Sequence, residues 1–320
     1  MGYKNLKFKK WVFLVIFLVP LFIILYNYRG INKQTDKNSI PIAMAMDENY
    51  VFPTIVAITS VLESRNQNSY YSFYVMHPDS LSEESKDKLL SLHKKYNKCQ
   101  INLIEMKDQY NDAYVDSRIP KSAYYRLSLP ELLTDIKKVI WIDGDTLTFH
   151  DLNDLLNIDM DEYYFKGFLD DAVSIMDEPF GIYNDHYICS GVMLINLEKL
   201  RNDNINEKFI SFIRENNDKL KQHDQTVINV VCYKNIGILP AKYGIFNYIT
   251  EDRAQAYVNS LRTPQKYTID EVIDAIKDPW ILHCPAKPWV ANASAHTRNL
   301  WLQFAQKTDF FEEIKAKYSL

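Results

Sequence analysis

Residues 139–149 read VIWIDGDTLTF, an apolar run that ends on Asp143 and Asp145 with only Gly144 between them. Short apolar runs bounded by polar residues are the mark of buried strands. Two ionised carboxylates at a strand tip repel each other unless a cation lies between them. Hard oxygen ligands on one short turn suit Mg²⁺ or Mn²⁺, ions that commonly bind one or two carboxylates together with substrate phosphates. The stretch therefore predicts an α/β core whose fourth strand delivers a metal that grips a phosphorylated ligand.

Working outward, strands are expected at residues 40–46, 72–76, 101–106 and 138–142. Helices are expected between them at 52–64, with Pro53 tolerated in its first turn, and from a Ser80–Glu83 capping box to about Tyr96. Residues 123–133 also look helical. Strands alternating with helices imply a parallel sheet, and such sheets bind ligands at the carboxyl ends of their strands. Asp47 and Asn49 follow the first strand and Asp143 and Asp145 the fourth, so the two clusters are expected at one edge. The second half is less regular. Strands are expected near 164–169, 192–195 and 280–283, helices near 207–216 and 224–232, and one or two helices over 295–320.

The chain has 320 residues with a 47% apolar and 24% charged composition, enough for one large domain. Only 8 glycines occur, and neither G-x-G-x-x-G nor G-x-x-x-x-G-K-[ST] is present, so phosphates must be held by metal and lysine instead. Lys4, Lys7, Lys9, Lys10 and Arg29 give the first 30 residues a charge of +5. The net charge is −4, so the rest carries −9, which argues against nucleic acid as a partner. Cys99, Cys189, Cys232 and Cys284 have no C-x-x-C spacing and read as buried thiols.

Trp11–Tyr26 is uncharged, and Asn27 and Tyr28 extend it at the interface; it follows the lysine-rich head with no small-residue cleavage site after it. Such a run near the spanning length of roughly 17–25 residues is expected to be a retained signal anchor with its N-terminus in the cytosol. Residues 1–28 are thus read as head and transmembrane helix, 29–39 as a polar tether, and 40–320 as the catalytic domain. The body would sit in the Golgi lumen in a eukaryote, or at the inner membrane of a bacterium.

Other polar positions stand out. His283 ends the late strand and precedes Lys287-Pro288-Trp289, where an imidazole could complete a Mn²⁺ site and a lysine could neutralise a pyrophosphate. Arg126 lies just before the Asp-bearing strand and could pair with a carboxylate or phosphate. Asp170 follows an apolar strand, and Asp224-Gln225 opens a helix after His223.

In order, Ile42–Tyr50 (IAMAMDENY), Tyr124–Leu133 (YYRLSLPELL), Val139–Leu147, Ser190–Arg201 (SGVMLINLEKLR) with His223-Asp224-Gln225, and His283 with Lys287-Pro288-Trp289 resemble the family 8 glycosyltransferases. These include bacterial lipopolysaccharide galactosyl- and glucosyltransferases and glycogenin. The resemblance covers residues 40–290 and implies a GT-A type fold, a mostly parallel sheet flanked by helices. It implies a retaining transfer of a hexose, galactose or glucose, from a UDP-sugar to a carbohydrate-bearing acceptor. Ala45, Asp47, Asn49 and Tyr50 are implied to hold the uridine, with Gly144 and Ser190 beside the donor. Asp143, Asp145 and His283 are implied to bind Mn²⁺, with Mg²⁺ as the alternative, and Lys287 the diphosphate. Arg126, Asp170 and Asp224 are implied to touch the donor sugar, and Gln225 to lie nearest the anomeric carbon.

Two departures are visible. Cys189 stands where the family usually has Asn, and the segment from His283 to Lys287 is short. The first keeps open a membrane-anchored, catalytically degenerate UDP-sugar-binding protein. A haloacid-dehalogenase-like phosphatase also places D-x-D after a strand. It wants Thr or Val four residues after the first Asp, where this chain has Leu147.

Overall fold

The computed structural model describes residues 39–107, 110–116, 119–170, 180, 187–261 and 266–320. The expected anchor and all but the last residue of the tether lie outside these. Among the described residues no helix is long and apolar enough to cross a membrane.

The strands are β1 (Ile40–Ala45), β2 (Tyr71–Pro78), β3 (Cys99–Met106), β4 (Lys138–Ile142), β5 (Thr146–Thr148), β6 (Phe165–Leu169), β7 (Ile188–Asn196), β8 (Ile236–Ile238), β9 (Tyr243–Phe246) and β10 (Ile281–His283). Seven form one sheet in the order β3-β2-β1-β4-β7-β6-β8. Pairing is parallel from β3 to β4 and between β6 and β8, while β7 runs antiparallel to both its neighbours. The mostly parallel α/β sheet expected from sequence is present. The antiparallel β7 was not legible, because nothing in an apolar strand states its direction.

Both faces of the sheet are covered, which is why its strands read as unbroken apolar runs. Side chains alternate along each strand. Ile42, Met44, Ile140 and Ile142 pack on one face with Ile55 and Ile58 of α1 (Val51–Glu63). Ala43, Val139, Trp141 and Met193 pack on the other face with Phe209 and Val227. α1 is buried from Val51 to Leu62, because the late helix α5 (Ala295–Ala305) covers the side turned from the sheet.

Two local expectations change. α2 (Glu83–Lys95) is capped by Ser82, whose Oγ accepts from Ser85 N at 3.2 Å, rather than by a Ser80–Glu83 box. Glu83 instead takes Lys86 at 2.7 Å. Residues Lys121–Ser128 form a 3-10 helix, and only Leu129–Leu132 are α-helical. Pro130 has no N–H to return to the Arg126 carbonyl, so a continuous α-helix is interrupted there.

β1 connects outward to β2 on one side and has β4 on the other. The strand order therefore reverses between β1 and β4, the place where open α/β sheets leave a crevice at their carboxyl ends.

Candidate active site

A cleft of about 460 Å³ lies at that crevice, within the range of roughly 300–1,000 Å³ usual for small-molecule sites. Ala45, Met46 and Tyr50 line it from the end of β1, and Asp143, Gly144 and Asp145 from the end of β4. Antiparallel pairing of β7 with β4 brings in Cys189, Ser190 and Gly191, with Asp143 N donating to Gly191 O at 2.8 Å. β10 runs antiparallel to β5, directly after the Asp-Gly-Asp turn, so His283 pairs with Thr146 and Cys284 N donates to Asp145 O at 2.8 Å. α4 (His223–Val231; α3 is Ile205–Asn216) supplies Asp224 and Gln225 from its first turn.

Asp143, Asp145 and His283 each present a ligand atom, and these atoms lie within 4.8 Å of one another. Asp145 is 4% exposed, and its Oδ1 makes no hydrogen bond, although His283 Nε2 stands 3.4 Å away. Its other oxygen pairs with Lys287. A buried oxygen left without a donor calls for a partner, and two carboxylates with an imidazole are a donor set that accepts a divalent ion. The residues therefore fit a metal. Burial pushes the Asp145 carboxyl up, but Lys287 and His283 outweigh it and hold it well below the ordinary range. Burial likewise opposes a charged His283, while Cys189 and Asp145 pull its imidazole well above its usual value.

Arg126 is buried, and its Nε donates to Ala123 O at 3.0 Å. Its Nη2 donates to Asp143 Oδ1 at 3.0 Å, Nη1 donates to Ser190 O, and Nε lies 3.0 Å from Asp224 Oδ2. The guanidinium also sits 4.2 Å from the Trp141 ring centre. Trp141 Nε1 donates to the same Asp143 oxygen at 2.8 Å. One cation thus fixes both a candidate metal ligand and the acid of α4. Burial pushes Asp224 up to about 6, with Arg126 opposing and Asp143 adding to the rise.

Gln225 is equally committed. Its Oε1 accepts from Ser190 N at 2.9 Å, and its Nε2 donates to Asp170 Oδ2 at 2.9 Å. Tyr50 meets Trp289 edge-on at 5.9 Å, and Lys287 lies 5.5 Å from its ring centre. A Cβ on Gly144 would come within 2.8 Å of Thr54 Oγ1 and 3.2 Å of Tyr50 Cδ1, so the small middle residue lets the aromatic close over the turn.

Of the residues singled out from sequence, Ala45, Tyr50, Arg126, Asp143, Gly144, Asp145, Asp170, Ser190, Asp224, Gln225, His283 and Lys287 converge on this cleft. Asp47 and Asn49 are not among its lining residues. Asp47 caps its own turn, accepting from Asn49 N at 2.9 Å and Tyr50 N at 3.2 Å, and Asn49 is exposed. Phe246 and Tyr248, stacked at 5.1 Å, also line the cleft and were missed. Alternating aromatics after Gly244 were the signal that could have found them. All four cysteines are free and buried, as expected.

Residues 41–293 match the family model described as glycosyl transferase family 8. The chain is 28% identical over 276 residues to General stress protein A of Bacillus subtilis (strain 168), covering 83% of this chain and 93% of that protein. It is 29% identical over 222 residues to a lipopolysaccharide 1,2-glucosyltransferase of Escherichia coli, covering 66% of this chain and 64% of that protein. In fold it is similar to the galactosyltransferase LgtC solved in complex with donor and acceptor sugar analogs. That likeness has a TM-score of 0.73 at 20% identity and covers 87% of this chain and 100% of that one. An order reversal at β1 and β4, a carboxylate pair at its edge and a family match across the whole sheet lead to one conclusion: the chain belongs to glycosyl transferase family 8 and is a glycosyltransferase.

Proposed function

We propose that the protein transfers a hexose, galactose or glucose, from a UDP-sugar to a carbohydrate-bearing acceptor with retention of anomeric configuration, using Mn²⁺. The observation that carries this reading is the convergence of Asp143, Asp145 and His283 beside Lys287 and Tyr50 in one cleft. Asp143, Asp145 and His283 would hold the ion, and imidazole favours Mn²⁺ over Mg²⁺. When bound, it would supply electrostatic stabilisation of the leaving diphosphate. Lys287 would leave Asp145 and neutralise the diphosphate from the other side. Tyr50 would pack on the uracil, its ring already braced by Trp289.

In the transfer, the bond from the anomeric carbon to the diphosphate oxygen breaks, an acceptor hydroxyl oxygen bonds the same carbon, and its proton passes to the departing phosphate. Gln225 is an amide and so a poor nucleophile, and its oxygen accepts from Ser190 N. Departure and attack on one face of the sugar fit this arrangement. Arg126 would orient Asp143 and Asp224, the two carboxylates it already holds. Residues 11–28 would anchor the protein to a membrane with the N-terminus in the cytosol; the lysine-rich head and uncharged run support this. The catalytic domain would then face the Golgi lumen in a eukaryote or lie at the inner membrane of a bacterium.

Calorimetric titration of UDP into the full-length chain tests the reading. UDP is expected to bind with Mn²⁺ present and to lose at least about tenfold in affinity with EDTA. Equal affinity in both conditions would remove the metal from the donor site.

A further inference from the structure

Cys189 makes a contact that its place in the cleft wall does not require. Its Sγ lies 3.5 Å from His283 Nδ1 and accepts from Gly191 N at 3.4 Å. On the far edge of the same ring, Nε2 stands 3.4 Å from Asp145 Oδ1. The ring lies flat on Gly191, where an added Cβ would fall 2.2 Å from Cε1. Phe246 closes another side, with ring centres 5.6 Å apart.

Packing alone leaves two orientations of an imidazole, related by a half-turn about the bond to Cβ. That turn exchanges Nδ1 with Cδ2 and Nε2 with Cε1. In the turned state a C–H would face Cys189 and another C–H would face Asp145. The sulfur distinguishes the two states. When Nε2 gives its lone pair to a metal, the neutral ring must carry its proton on Nδ1, and that proton needs an acceptor. In metal sites the second ring nitrogen generally donates to a carboxylate, carbonyl or water, and losing that partner weakens metal binding about 10–100-fold. Among the described residues, the acceptor here is a thiol sulfur.

We propose that Cys189 is a positioning residue for His283: its sulfur takes the Nδ1 hydrogen and so holds Nε2 toward Asp145 as a metal ligand. The inference rests on the metal reading of Asp143, Asp145 and His283. Cys189 is not itself a ligand, since it lies beside the ring edge opposite to the one facing Asp145, and the clustered ligand atoms do not include its sulfur.

The experiment is a thermodynamic cycle on Mn²⁺ affinity, read from the free-ion paramagnetic resonance signal of the full-length chain with saturating UDP. Cys189→Ala is expected to bind Mn²⁺ about tenfold more weakly. Cys189→Ser, which keeps an acceptor, should recover most of that loss. In a His283→Ala background, Cys189→Ala should have no further effect, because its partner is gone. Thermal melts confirm that each variant is folded. Wild-type affinity in Cys189→Ala would overturn the proposal. So would the same tenfold loss in both backgrounds, which would mark Cys189 as an independent ligand or a packing residue. A wild-type chain that takes up no Mn²⁺ would instead bring down the metal reading itself, and this inference with it.

Discussion

Gln225 and Asp170 are joined by a 2.9 Å hydrogen bond in which the amide Nε2 donates to the carboxylate Oδ2. Since Gln225 Oε1 is held by Ser190 N, the side chain works as a donor on one end and an acceptor on the other. Gln225→Glu keeps the acceptor but places a second carboxyl against Asp170. Two carboxyls at that distance share a proton, so one of them titrates well above its normal value. A protonated Glu donates to Asp170 as the amide did. The variant should therefore be about a hundredfold slow at pH 8 and regain part of that loss at pH 6. Turnover against pH measures this, and a variant-to-wild-type ratio that does not change with pH would contradict it.

Asp224 gives the wild type its own pH dependence. With burial placing it at about 6, it is protonated in mildly acidic solution and ionised above. Its folded value exceeds an unfolded one near about 4, so the folded chain binds more protons than the unfolded chain between the two. Asp224 therefore lowers stability as pH rises through that window and lowers it no further above it. Activity runs the other way, because the ionised form is the one that pairs with Arg126. Turnover should fall below pH 6, and Asp224→Asn should be slower at pH 8 but lack that fall. An unchanged acid limb in the variant would assign it to another group.

Lys287 occupies Asp145 and, in the proposed function, leaves it for the diphosphate. Lys287→Ala should weaken UDP binding about 10–100-fold, the scale of one or two charged hydrogen bonds. Mn²⁺ alone should bind the variant no more weakly than the wild type, since a competitor for Asp145 has gone. Parallel loss of both affinities would show that Lys287 supports the metal cluster rather than the nucleotide.

Gly191 is the floor under His283. Gly191→Ala puts a methyl where the imidazole lies, 2.7 Å from Nε2 and 2.8 Å from Nδ1. The ring must move, and at least about tenfold of Mn²⁺ affinity should go with it. Titration of Mn²⁺ reads this directly, and an unaltered affinity would show that His283 does not hold the ion.

The sheet and the carboxylate pair were legible because each is a local pattern. An apolar strand ending in Asp143-Gly144-Asp145 states its own burial and which end carries the carboxylates, and His283 ends a short apolar run in the same way. What the sequence hid depends on pairing between distant segments. The neighbourhood of Cys189 and His283 exists because β7 runs antiparallel to β4 while β10 folds back on β5. Arg126 was expected to pair with a carboxylate or phosphate, but which carboxylates it meets, Asp143 and Asp224, depends on long-range packing. The resemblance implied Asp47 as a uridine contact; an Asp just before a helical turn is also a natural cap, and its carboxylate accepts from Asn49 N and Tyr50 N.

The central claim is metal-dependent turnover of one UDP-sugar at the Asp143–Asp145–His283 cluster. The most direct test is UDP release by the full-length chain from a panel of UDP-hexoses with Mn²⁺, with and without EDTA, beside Asp145→Asn. Release from one donor, lost with EDTA and in Asp145→Asn, is the predicted result and names the sugar. Release that persists in EDTA, or a panel left wholly intact while UDP still binds, would contradict it.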